Sequence, residues 1–378
     1  NGAWDELSSW DTGSLPTEND DVDINSGTAA ITSEAEANAI DVGHDASSSG
    51  SLIITGIGST LSLSSRVYVG YKGEGSLEIS DGARVEVGSD EKISIASELG
   101  SIGRVIVTGV GSALIGDEYL YVGMGGEGTL EVSDGATVEV DRLTIMGSGS
   151  SLGSISSSST VNIGAAEGET AVASGALLAD YIEFDGVATS LIFNHTDTDY
   201  ELTADLNDAP GSGRVFLYAG TTSFTGDLTS FYGTMTVDGG TLYIAAGKTL
   251  ELRGNYMQTS AGVLKVGASS NSNYGKLAVA GTATFAANSA IAVDVASANS
   301  LAVDGTLSSV VSADTLEAST FSVTDNSALF DFSAVVNDDT VDLVIVQGTT
   351  DSTDSTDSTD STDSTDSSNV TSVTRYVT

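Results

Sequence analysis

The chain has 378 residues, with 44 glycines, 2 prolines, no cysteine and a formal net charge of −41 from 53 Asp and Glu against 12 Lys and Arg. Such a charge is repelled by nucleic acid and by anionic membrane surfaces, which argues against both as partners and leaves cations, water and neutral or basic surfaces. A chain without cysteine has no disulfide framework and no thiolate chemistry, and no apolar run approaches the roughly 20 residues of a membrane-spanning helix.

Residues 1–24 are read as an N-terminal cap. They carry both tryptophans, Trp4 and Trp10, and then the acidic turn cluster Glu18, Asp20, Asp21 and Asp23. Large aromatics gathered at one end are what a stacked body needs to plug its exposed terminal core. The Asn1 start without methionine suits a processed mature chain or a trimmed one.

Residues 25–254 are read as a repetitive body. Val67 to Val87 reads VYVGYKGEGSLEISDGARVEV, and Leu120 to Val140 reads LYVGMGGEGTLEVSDGATVEV, with fifteen of twenty-one positions identical at an offset of fifty-three residues. The same offset carries GSLIITGIGSTL from Gly50 onto GRVIVTGVGSAL from Gly103. A repeat of this length signals stacked units, each burying its apolar face on the next. Within it the apolar positions alternate with polar ones, placing Leu77, Ile79, Val85 and Val87 inside and Glu78 and Glu86 in water. Ser80 to Ala83 and Ser133 to Ala136, both Ser-Asp-Gly-Ala, are tight turns between strands. Ser33-Glu34-Ala35-Glu36 fits a capping box and competes for a single helical turn, but nothing else sustains helical periodicity. From about Ala171 the strict repeat fades while alternation continues through Val215, Leu217, Met235, Val237, Leu242, Ile244, Leu250 and Leu252. Between Asp197 and Gly213 the mixture of charge, Pro210 and glycine predicts a solvated interruption. About 20 to 25 residues per coil and a step of ~4.8 Å predict roughly 15 coils and a rod on the order of 70 Å.

Residues 255–348 change character. NYMQTSAGVLKVG (Asn255 to Gly267), YGKLAVAGTATF (Tyr274 to Phe285) and SALFDFSAVVNDDTVDLVIV (Ser327 to Val346) resemble the autochaperone segment that ends the passenger of adhesin-type bacterial autotransporters, the type V secretion family. The upstream YVG, GEGSLEISDGA and VTGVGSAL pieces are similar to repeats of the same passengers. The resemblance implies a right-handed parallel β-helix, exported through an outer membrane by a C-terminal barrel, with the autochaperone folding first. It implies a secreted or cell-surface location on the outer-membrane exterior of a Gram-negative-type bacterium. An outer-membrane β-barrel translocator is thus an implied partner, absent from this chain. In place of a barrel come residues 349–368, an Asp-Ser-Thr run whose six aspartates, Asp351 to Asp366, are spaced three apart. Such a run cannot bury enough surface to offset its ordering entropy and reads as an extended linker. Residues 369–378 contain Val370, Val373, Tyr376 and Val377, enough β-forming residues for a terminal strand. The fold expected is all-β, a β-solenoid with capped ends and an extended tail.

The sequence assigns no catalytic or cofactor-binding residue and no metal ligand set. The repeated carboxylates Glu74 and Glu127, Glu78 and Glu131, Asp81 and Asp134, Glu86 and Glu139 fall two or three coils apart, roughly 10 to 14 Å, about one Debye length at physiological salt. That is too far for paired catalytic acids or one shared ion, so they read as a solvated acidic face. Any divalent cation held weakly between adjacent coils is expected to be calcium, although the glycine-rich calcium nonapeptide is missing. His44 and His195 read as two surface histidines, with no H-x-x-x-H or Cys partner for zinc and no G-x-S-x-G elbow for a triad. The glycine strings Gly70 to Gly75 and Gly123 to Gly128 lack the Lys-Ser/Thr and helix of a phosphate cradle and read as turns. Polysaccharide cleavage needs a base beside a cation-held uronate or two carboxylates at about 5 to 10 Å; Lys72, Arg84, Lys92, Arg104, Arg142 and Lys248 stand singly in turns or outward positions instead.

The function expected is therefore non-enzymatic: adhesion through a surface or glycan receptor, or self-association between copies, with multivalency supplying strength. The alternative is a subunit of an extracellular filament or lattice joined by strand exchange, in which 369–378 of one molecule adds to the N-terminal end of the next. A polysaccharide-degrading β-helix is a minor third reading.

Overall fold

A computed structural model describes residues 2–88, 92–150, 158–208 and 211–348. The expected linker 349–368 and terminal strand 369–378 lie outside the described residues. The described chain is all-β, a solenoid of about 11 turns with no α-helix. A short 3₁₀ turn, Leu7–Ser9, is its one helical element.

Each N-terminal coil lays down three short strands. In one such coil Val67–Val69, Glu74–Ser80 and Arg84–Val87 follow one another, and each pairs in parallel with the equivalent strand of the coils before and after. The result is a 16-stranded sheet running the length of the body, flanked by eight- and six-stranded sheets in the N-terminal half and a seven-stranded sheet in the C-terminal half. Alternation puts every second residue inside. Leu52, Leu77, Val105, Leu130, Val161, Leu191, Val215 and Met235 form one continuous internal ladder, each directly above the last and each no more than 2% exposed. Full burial of one such side chain contributes about 1.5–3 kcal/mol, and the branched residues suit the pleated surface.

The fifty-three-residue repeat corresponds to two coils: Leu77 is in register with Val105, and Val105 with Leu130. Its corners need left-handed backbone. Asp81 and Gly82 have φ of 55° and 85°, and Asp134 and Gly135 have 52° and 77°, conformations that glycine adopts freely and Asp tolerates.

Two expectations are corrected, and one competing reading is removed. The coils number about 11 rather than 15, because those between Ala29 and Leu191 take 23 to 31 residues; Ala29 pairs with Leu52, and Leu130 with Val161. At ~4.8 Å per step the stack is roughly 50 Å long. From Asp197 to Asp208 the chain is not interrupted: Tyr200–Leu202 and Asp205–Asp208 are strands with Leu202 and Leu206 buried, while 209–210 lie outside the described residues. The capping-box competitor is settled as strand, since Glu34–Ala37 alternates exposed and buried and pairs with Thr60–Leu63.

The two ends differ. At the N-terminal end Gly2–Ala3 adds to the long sheet, Trp4 is buried, and Trp10 meets it edge-on at 4.8 Å while its Nε1 donates to the Trp4 carbonyl. At the other end Thr340–Gln347 lies antiparallel to both Thr306–Glu317 and Phe330–Val336, turning the parallel stack into a hairpin-closed edge.

Candidate functional site

One turn recurs after the strands of the eight-stranded sheet. Val42-Gly43, Val69-Gly70, Ile95-Ala96 and Val122-Gly123 each end a strand on a residue with positive φ, between 59° and 86°. The turn swings the following residue back over the outward residue three positions earlier. In successive coils it stacks Tyr71 on Tyr68 at 5.3 Å and closes Ser97 Oγ on Ser94 Oγ at 2.9 Å. In the coil that begins at Ala39 the same turn folds His44 onto Asp41, with Nδ1 3.0 Å from Oδ2. Gly43 is required there, because a Cβ would run into the Glu74 carbonyl of the next coil.

Asp41 is flanked on its ladder by Asp23 on one side and Tyr68 on the other. Asp23 Oδ1 stands 3.2 Å from the same His44 nitrogen, and Arg66 Nη2 3.2 Å from Asp41 Oδ2. One donor atom each from Asp23, Asp41 and His44 lies within 4.8 Å of the others. Asp41, although on an outward position, is 3% exposed, and its Oδ1 has no hydrogen-bond partner. Burial pushes the Asp23 carboxyl above its ordinary range; His44 opposes this, while Asp41, Asp45 and Asp21 push the same way. Burial works against the Arg66 charge, but the bond and charge of Asp41 outweigh it and hold the guanidinium above its usual value.

The expectation of two surface histidines fails at His195, which is 0% exposed. Its Nε2 lies 3.0 Å from Thr222 Oγ1 of the next coil, its Nδ1 makes no hydrogen bond and stands 3.9 Å from Asp197 Oδ2, and Phe193 and Tyr200 pack around the ring. Burial holds its imidazole below the ordinary histidine range against the opposing charge of Asp197.

The repeated carboxylates stand two coils apart, and the three glutamate pairs are each separated by an isoleucine: Ile102 between Glu74 and Glu127, Ile106 between Glu78 and Glu131, Ile115 between Glu86 and Glu139. Asp81 and Asp134 are structural acceptors. Thr55 Oγ1 donates to Asp81 at 3.0 Å, and Thr108 Oγ1 to Asp134 at 3.2 Å, one coil back in each case. The basic residues Lys72, Arg84, Lys92, Arg104, Arg142 and Lys248 are exposed; Arg84 pairs with Glu86, Arg104 with Glu131 and Arg142 with Glu183. Gly70 and Gly123 are left-handed turns, while a Cβ on Gly75 or Gly128 would strike the backbone of Gly70 or Gly123.

Sequence spacing did not reveal the Asp23, Asp41 and His44 group, because Asp23 reaches it from a neighbouring coil. The signal available was the Val-Gly turn itself, VGH beside VGY and VGM, which aligns His44 with Tyr71 and Met124.

The fold defines a parallel β-solenoid. No family model matches the chain. It is similar to an Escherichia coli K12 protein described as the uncharacterized lipoprotein YdeK, 32% identical over 163 residues, 42% of this chain. The match spans 12% of that relative's length. No helix among the described residues is long and apolar enough to cross a membrane.

Proposed function

We propose that this chain is the passenger part of a secreted or surface-displayed adhesin that binds surfaces or glycans, or zips to copies of itself, without catalysing a reaction. The observation that carries the reading is the solvent face of the long sheet. Thr28, Ser51, Ser76, Arg104, Thr129, Thr160, Ser190, Arg214, Thr234 and Asn255 stack in register as one unbroken polar column. Repeating hydroxyls at a fixed step offer many weak, equivalent contacts, and linked weak contacts gain strength as an ensemble. The autotransporter resemblance supports display outside an outer membrane, and the lipoprotein relative supports association with the cell envelope.

So acidic a rod repels its own copies until counterions screen it. Aggregation of cells displaying the chain, or of the purified rods, is expected to rise with Ca²⁺ or ionic strength. Indifference to both would remove self-zipping, and failure to bind any cell or glycan surface would remove adhesion.

A strand-exchanged filament is the second reading. Among the described residues, the first strands of the eight- and six-stranded sheets, Asp21–Ile24 and Glu34–Ala37, each have one unpaired edge, and such edges template added strands. Deleting 369–378 should then abolish polymers while the monomer stays folded; unchanged fibres would end the idea.

A further inference from the structure

We propose that Asp23, Asp41 and His44 form a binding site for one first-row transition metal ion of the zinc class, held between the first coils of the solenoid. His44 Nδ1 faces two carboxylates at once, Asp41 Oδ2 at 3.0 Å and Asp23 Oδ1 at 3.2 Å. A single imidazole proton serves one of them well and leaves the other wanting. A tetrahedral centre with bonds of about 2.0–2.2 Å has edges of roughly 3.3–3.6 Å, so a small opening of these contacts admits a metal in place of the proton.

The second, independent observation is Asp41 itself. Its carboxylate is buried, and Oδ1 has no partner, a desolvated acceptor that is costly to leave unused. A cation held by both oxygens of the Asp41 carboxylate would satisfy it. Four carboxylates, from Asp21, Asp23, Asp41 and Asp45, act on this locality against the one guanidinium of Arg66, so a dication enters a negative field. Arg66, bonded to Asp41 Oδ2, serves as the outer partner that fixes a ligating carboxylate. The imidazole nitrogen selects zinc, nickel, cobalt or copper over calcium and magnesium, which take oxygen ligands.

The test is titration of the full chain with Co²⁺ in a large excess of Ca²⁺, which occupies all-oxygen surface carboxylates. The chain has two histidines, so their ring proton resonances report the site directly. One equivalent of Co²⁺ should broaden the His44 signals and leave those of buried His195 unchanged, and Zn²⁺ should displace it one for one. His44→Ala should abolish this binding while keeping the β-type circular dichroism. Asp23→Asn, at an exposed position, should weaken it by about tenfold or more and serves if the alanine variant misfolds. An unperturbed His44 ring, one-equivalent binding that survives His44→Ala or is untouched by Asp23→Asn, or Co²⁺ uptake wholly displaced by Ca²⁺ would each overturn the site.

Discussion

Glu78 and Glu131 occupy the same lateral position on the long sheet, two coils apart, with Ile106 in register between them. Like charges on directly opposing strand positions destabilise a sheet. A two-coil repeat places an acid on every second rung and an aliphatic residue between, so the carboxylates are about 10 Å apart. The chain thus carries its large negative charge without a continuous ladder of touching carboxylates.

Leu130 is sandwiched between Val105 and Val161 on the internal ladder and is 0% exposed. Leu130→Ala should cost about 2–5 kcal/mol, read as a fall in the midpoint of denaturant unfolding. Leu178, 45% exposed on the strand Ala176–Leu178, is the matched control, and its alanine variant should move the midpoint little.

Asp134 combines a left-handed φ of 52° with the bond from Thr108. Asp134→Ala loses both supports and should cost about 1–2 kcal/mol from the backbone, with a further ~1 kcal/mol from the hydrogen bond. Asp134→Gly keeps the backbone freedom and should lose less. Equal losses in thermal or chemical unfolding would show that the backbone conformation contributes nothing.

Gln258 sits in the internal column beside the Leu130 ladder, in register between Val237 and Phe285. Its Oε1 accepts from the buried Tyr256 hydroxyl at 2.8 Å, and its Nε2 donates to the Gly262 and Ala290 carbonyls. Gln258→Leu fits the apolar column yet strands the Tyr256 hydroxyl, at a cost of about 1–3 kcal/mol. Adding Tyr256→Phe should recover part of that loss, so the double variant should exceed Gln258→Leu in stability.

His195 gives a pH dependence with a defined sign. Its folded imidazole is held below the ordinary range by burial, with Asp197 3.9 Å from Nδ1 opposing. An unfolded histidine takes its proton near pH ~6.5. Between that pH and the lower folded value the unfolded state binds more protons, so stability is full above about 6.5 and falls as pH drops, by at most about 1.4 kcal/mol per unit. The difference between the native chain and His195→Gln in unfolding free energy should show this slope between pH 7.5 and the acid limb, on the order of one proton. A flat difference would mean that the folded and unfolded imidazoles take up their proton at the same pH, and a slope of opposite sign would mean that the fold favours the charged ring.

Much of the fold was legible in the chain. The Leu-Glu-Ile and Val-Glu-Val alternation fixes which side of each strand is buried, and Asp-Gly at 81–82 and 134–135 fixes two corners, because both are local consequences of side-chain period and backbone freedom. Asp197 to Gly213 misled because its charges, Pro210 and glycines read as a solvated stretch, and Asp208 is one of those charges. Its side chain instead accepts from the Ser212 and Gly213 amides and is 2% exposed.

The sequence by itself determined the stacked all-β body, its repeat and its acidic surface, since these follow from periodicity and composition. Only the tertiary structure decided that the repeat is two coils, that His195 is internal, and that Asp23 meets Asp41 and His44. The reason is register. Lateral neighbours in a solenoid are residues a full coil apart, and variable coil lengths hide that distance from any reading along the chain.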